Sequence, residues 1–196
     1  MAAIALALKG VRRVNKQLLI DAAYHEAGHA LLYESFEMPT GGIVIYADGT
    51  GKNWYSVSRK EAARDMTLIE KCKDACISLG GSAAQDIHDE LGDPYSYLYY
   101  FGEQEDWRSV IELGLDEDLV NTLMKFTCKV LEEHWARLET LADALLKKHY
   151  QSPEEIRSHL AGVANRDRYE AVIRQTSGYA GAVSCKADPL GLRCSQ

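Results

Sequence analysis

The chain has 196 residues, 46% hydrophobic and 26% charged, with a net charge of −7 and five cysteines. That length supports one domain with a substantial core, and the composition excludes intrinsic disorder for the bulk of it. The acidic balance argues against nucleic acid or an anionic membrane as the main partner, because no basic excess exists to displace counterions.

Cys72, Cys76, Cys128, Cys185 and Cys194 form no C-x-x-C pair. An odd, sparse set in a chain of this size reads as reduced thiols of a cytoplasmic protein rather than a disulfide scaffold. The opening MAAIALAL, before Lys9, is far short of the about 20 apolar residues a membrane span needs, and it lacks the basic start of a secretory signal. No period of repeat length is present, which excludes a solenoid.

In chain order, residues 1–14 read as a loose segment and Asn15 as the N-cap of a helix running to Phe36, stopped by Pro39-Thr40-Gly41-Gly42. Gly42–Ala47 (GIVIYA) is a short β-branched strand; Asp48-Gly49 turns the chain and Asn53–Val57 is its hairpin partner. Helical spacing returns from Met66 to Asp89, followed by an aromatic-rich loop, Leu91–Gly102, containing Tyr95, Tyr97, Tyr99, Tyr100 and Phe101. Helices are predicted over Glu103–Leu113 and, longer, over Asp116–His149. On the latter Val120, Leu123, Met124, Cys128, Val130, Leu131 and Trp135 form an apolar stripe. Ser152-Pro153-Glu154-Glu155 has the chemistry of a helix start, and that helix runs to Leu160. Residues 15–176 form the domain and 177–196 a flexible tail. The expected fold is mainly α with one small β-hairpin.

The chemistry concentrates at His25-Glu26-Ala27-Gly28-His29. Residues four apart on a helix differ by about 40° in azimuth, so both imidazoles leave one face and can grip one metal ion. Zn²⁺ is the default ion for two imidazoles plus an oxygen ligand, with a fourth position for water. Glu26 projects beside the metal, where it can act as base. Ala22, Ala23, Ala27, Ala30 and Leu31 surround the motif, which argues for a buried face rather than a solvated one. The third ligand stays open: Leu32 and Ser35 exclude H-E-x-x-H-x-x-G-x-x-H, and Glu61 with Asp65 has carboxylate spacing but follows Lys60 where Asn is expected. His134, His149 and His159 sit among charged residues and read as surface groups; His88 remains a candidate supporting group. Cys72 and Cys76 share a face, but without further ligands they read as buried thiols. Gly80-Gly81 reads as a close-packing surface for the motif helix.

The residues around the motif resemble the peptidase domain of the FtsH-type ATP-dependent zinc metalloproteases. Ala22–Leu32 (AAYHEAGHALL) is similar to that family's active-site helix, and Leu79–Ile87 (LGGSAAQDI) to its Leu-Gly-Gly-x-Ala-Ala-Glu-Glu segment. The strand and hairpin fall in the family's order. Gly102–Asp106 matches the spacing of its Gly-Ala-Ser-Asn-Asp segment, and Leu138–Ile156 resembles the domain's ending. The resemblance covers about Lys16 to Leu160. It implies a helical, zincin-like fold, Zn²⁺ held by His25, His29 and Asp106, and Glu26 as catalytic base; Glu103 and Glu105 are the neighbouring alternatives to Asp106. It implies hydrolysis of peptide bonds in unstructured polypeptides through a metal-activated water. Gln85 stands where the family has a carboxylate and Ser82 where it often has Arg, and the chain contains no Walker A sequence. The expected partners are therefore a peptide or unfolded protein, with room for a separate unfoldase ATPase and for a homo-oligomer, and with no nucleic acid and no membrane span. The hairpin edge at Val44 and Tyr46 is expected to pair with extended substrate. The alternative is a non-enzymatic zinc-binding regulatory module that keeps the fold; the intact Glu26 argues against it, because a purely structural site needs the histidines and not the base.

Overall fold

The computed structural model describes residues 2–38, 40–55, 66–89 and 105–176, with side chains from Lys16 onward except that of Tyr55. It is mostly helical with a small three-stranded antiparallel sheet. The elements are α1 (Ala2–Ser35), β1 (Thr40–Ile45), β2 (Gly51–Tyr55), α2 (Leu68–His88), α3 (Glu105–Glu112), α4 (Glu117–Glu133), α5 (Trp135–Lys148), β3 (Tyr150–Gln151), α6 (Pro153–His159) and α7 (Arg166–Thr176). No helix among the described residues is long and apolar enough to cross a membrane.

Helix α1 is the axis of the fold, packing on α2, α5 and the sheet. Its small face, Ala23, Ala27 and Ala30, is fully buried, and Gly28 lets α2 come closer still. A Cβ on Gly28 would strike the Gly80 carbonyl oxygen and lie 2.7 Å from the Ala84 Cβ. The glycine pair in α2, each costing about 1 kcal/mol of helix propensity, is thus the surface that admits α1. The helix begins at Ala2 rather than at Asn15. Ala- and Leu-rich sequence precedes Asn15, and an interior Asn costs less than about 1 kcal/mol. At its other end Met38 N–H donates to the Tyr33 carbonyl at 2.9 Å as Glu37 takes a left-handed φ of 54°.

The expected hairpin is present but shifted two residues earlier in both strands, and β1 is its middle strand: the order is β2-β1-β3. Ile43 pairs with Asn53 on one side and with Gln151 on the other. The edge expected to be open at Val44 is therefore closed by Tyr150, and the outer strands of the sheet are β2 and the two-residue β3. Ile43 and Ile45 are buried, each contributing roughly 1.5–3 kcal/mol of apolar burial.

Thr67 starts α2 with a reciprocal cap to Glu70, and Ser152 starts α6 with the same device to Glu155, with Pro153 in the first turn. The single helix predicted over Asp116–His149 is two: at His134 φ is −116° and ψ 19°. The apolar stripe continues across the break, with Leu123, Val130 and Leu131 on α4 and Leu138, Leu141 and Leu145 on α5 all buried. The break is held by a hydrogen bond between His134 Nε2 and the Tyr169 hydroxyl of α7, 2.8 Å long. Helix α7, inside the domain but not among the predicted elements, inserts Tyr169 edge-on against Phe36 and Phe126. It is also tied to α2 through Lys73 and Glu170, 2.8 Å apart.

Candidate metal centre

Burial of the alanine face of α1 leaves His25 and His29 directed at the groove between α1, α2 and α3. Asp106, in the first turn of α3, reaches them because Trp107 and Val110, further along that helix, are buried in the core. The three ligand atoms form a nearly equilateral triangle. His25 Nε2 lies 3.0 Å from His29 Nε2 and 2.9 Å from Asp106 Oδ2, and His29 Nε2 lies 3.2 Å from the same oxygen. A tetrahedral ion with bonds of about 2.0–2.1 Å wants ligand atoms about 3.3 Å apart, so the triangle is within a few tenths of an ångström of that spacing. Among the described residues these three form a group able to hold a metal ion.

The outer contacts prepare both rings. His29 Nδ1 lies 2.7 Å from the Ile77 carbonyl and donates to it, which leaves Nε2 bare. His25 Nδ1 lies 3.0 Å from Gln85 Oε1. Partners on the far ring nitrogen are what orient metal-binding imidazoles. Two bare ring nitrogens at 3.0 Å repel unless a cation or proton lies between them. In the metal-free chain the proton wins: burial alone depresses the His29 pKa, but the Asp106 hydrogen bond and charge, Glu26 and the Ile77 carbonyl together carry it up to about 9. Burial pushes the Asp106 carboxyl up, yet the hydrogen bonds and charges of the two histidines outweigh it and hold the group well below the usual carboxylate range.

Glu26 is buried, and its Oε2 has no hydrogen-bond partner among the described residues. It fits only because β2 opens with a glycine: a Cβ on Gly51 would lie 2.5 Å from both Cγ and Oε1 of Glu26. Burial raises the Glu26 pKa, with Asp106 adding to the rise while His29 and His25 pull against it. A buried carboxyl oxygen without a partner costs about 1–3 kcal/mol or more and is poised to take a proton. Gly81 serves the opposite wall, where a Cβ would lie 2.6 Å from His25 Cε1, His25 Nε2 and His29 Nε2.

The structure thus brings together His25, His29, Asp106 and Glu26. Glu105, the neighbour of Asp106, is exposed, and Glu61, Asp65, Glu103 and the Tyr95–Phe101 cluster lie outside the described residues, as do Cys185 and Cys194. His88 stacks on Tyr24, with centroids 3.7 Å apart, and so packs rather than supports the ligands. The three described cysteines are buried; burial pushes the Cys72 thiol up to about 11 and raises Cys76 further, and among the described residues they join no group able to hold a metal ion. Sequence reasoning missed Gly51 altogether and took Gly81 for packing alone. The one available signal was the adjacency of the glycine pair to the motif helix. No family model matches the chain, and no curated protein matches it.

Proposed function

We propose that the chain is a zinc metallopeptidase of the zincin-like, FtsH-peptidase type, acting on unstructured polypeptide. The observation that carries the proposal is the buried Glu26 carboxyl, its Oε2 without a partner among the described residues, beside three converging ligand atoms. Two imidazoles and one carboxylate are the three-protein-ligand set of catalytic zinc sites, with one position left open. A site that merely held a metal would gain nothing from the cost of burying a Glu26 oxygen without a partner.

Bound zinc supplies Lewis acidity, polarising a carbonyl and lowering the pKa of a water. The residues of the chain supply the rest. His25, His29 and Asp106 fix the position of the ion. Glu26, its pKa raised by burial, takes the proton of the attacking water and returns it to the leaving amine nitrogen. Gly51 places strand β2 against that carboxyl. Among the described residues β2 pairs only with β1, so an extended peptide can add to its outer edge through backbone hydrogen bonds, which are blind to sequence. An edge of that kind accepts unfolded chains and excludes folded ones, which is consistent with a separate unfoldase preparing the substrate.

The test is hydrolysis of an unfolded, carboxymethylated protein and of a mixed peptide library by the zinc-loaded chain. Cleavage that is abolished by chelation and restored by zinc is expected. Stable zinc binding with no cleavage of any unfolded substrate would contradict the proposal and favour the regulatory module.

A further inference from the structure

Gln85 has no part in the hydrolytic roles above, yet its geometry decides which nitrogen of His25 is free. It sits one turn beyond Gly81 on α2, with Nε2 3.2 Å from the Asp21 carbonyl oxygen and Oε1 3.0 Å from His25 Nδ1. A backbone carbonyl only accepts, so the amide nitrogen faces Asp21 and Oε1 faces His25. That oxygen also only accepts, so His25 Nδ1 carries a proton and Nε2 is the atom left to act as a ligand. The opposite tautomer would set two lone pairs against each other at 3.0 Å. Asp21 lies one helical turn before His25 on the same helix, so the amide closes a loop from α1 to α2 and back. That loop fixes the angle of the ring as well as its tautomer.

We propose that Gln85 is a positioning residue for the metal: braced by the Asp21 carbonyl, its neutral amide locks His25 with Nδ1 protonated and Nε2 aimed at His29 and Asp106. The inference rests on the metal reading of this site but not on its peptidase activity. The equivalent lock on His29 is the Ile77 backbone carbonyl, which no substitution removes, so Gln85 is the side chain through which the triangle is tuned. Its neutrality also suits the charge of the site. Asp106 and Glu26 bring two negative charges, which balance one divalent ion, and a carboxylate at position 85 would leave a partly buried excess.

The experiment measures zinc affinity, by competition with a chromophoric chelator, and the ¹⁵N resonances of the His25 ring in the zinc-loaded protein. Gln85→Leu is expected to weaken zinc by about 10–100-fold and to lose the protected Nδ1–H signal, while the thermal midpoint of the metal-free protein stays near wild type. Gln85→Glu keeps an acceptor for Nδ1–H but loses the donor to Asp21, so it retains the signal and recovers part of the affinity. Should Gln85→Leu fail to fold, Gln85→Asn, too short to reach both partners, carries the same expectations. Wild-type affinity together with an intact Nδ1–H signal in Gln85→Leu would overturn the proposal. A wild-type chain that holds no zinc would overturn it together with the metal reading, whereas zinc binding without peptidase activity would leave it standing.

Discussion

Replacing Gly81 by Ala probes the candidate metal centre from the wall opposite Glu26. The added Cβ would lie 2.6 Å from His25 Cε1, His25 Nε2 and His29 Nε2, where ordinary contact is about 3.5 Å, so about 0.9 Å must be found somewhere. The rings cannot supply it cheaply, because Nδ1 of each is already hydrogen-bonded, to Gln85 and to the Ile77 carbonyl. Nor can α2 retreat freely, since Gly80 and Gly28 hold the two helices backbone to backbone. Overpacking of this kind costs about 1–3 kcal/mol of fold stability. A metal site tolerates about ±0.2 Å in its distances, so the larger effect falls on zinc: affinity should drop by about 100-fold or more. Chelator competition measures the affinity, and thermal unfolding of the metal-free protein measures the stability. Gly114→Ala is the control. Gly114 has φ 65°, and a Cβ there would meet nothing within 4 Å among the described residues, so alanine strains the backbone by about 1 kcal/mol while leaving zinc untouched. Wild-type zinc affinity in Gly81→Ala would refute the reasoning.

Asp106→Ala should lower zinc affinity by about 100-fold or more, whereas Glu105→Ala should leave it unchanged; isothermal titration of both variants distinguishes them, and the reverse order would reassign the third ligand. The raised pKa of His29, about 9 in the metal-free chain against an ordinary 6.5, sets two opposite pH trends. The stability it contributes to the metal-free fold is fully present below pH 6.5 and is lost as pH rises through about 9, which the difference in thermal midpoint between wild type and His29→Gln will show. Zinc must displace that proton, so zinc affinity should climb by about tenfold per pH unit between about pH 7 and 9 and then level off.

What the sequence made legible was local. The alanine face around His25 and His29, the caps at Ser152 and the stripe along α4 are all patterns within a turn or two of themselves, and each is buried or capped as the spacing requires. Asp106 is 77 residues from His29, and no spacing rule connects them; the resemblance alone reached it. The middle position of β1 was hidden because its second neighbour is a two-residue strand, too short to carry an alternation. The break at His134 was hidden because the stripe passes through it with no Gly or Pro to mark it. Helix α7 had a usable signal in Tyr169, Val172 and Ile173, whose spacing of three and four places them on one buried face, but its many charges obscured it. Gln85 read as the loss of a carboxylate. In the structure an amide at that position meets a donor from His25 and an acceptor from Asp21 at once, a pairing that depends on the register of two helices.

Glu26→Gln tests most directly whether Glu26 is a base beside a zinc ion held by other residues. The amide preserves shape and removes the proton acceptor. Metal content and peptide turnover, measured on the same purified samples, should show about one zinc per chain in both proteins and turnover lower by about 10²-fold or more in the variant. Equal turnover in wild type and Glu26→Gln, with zinc present in both, would contradict the account.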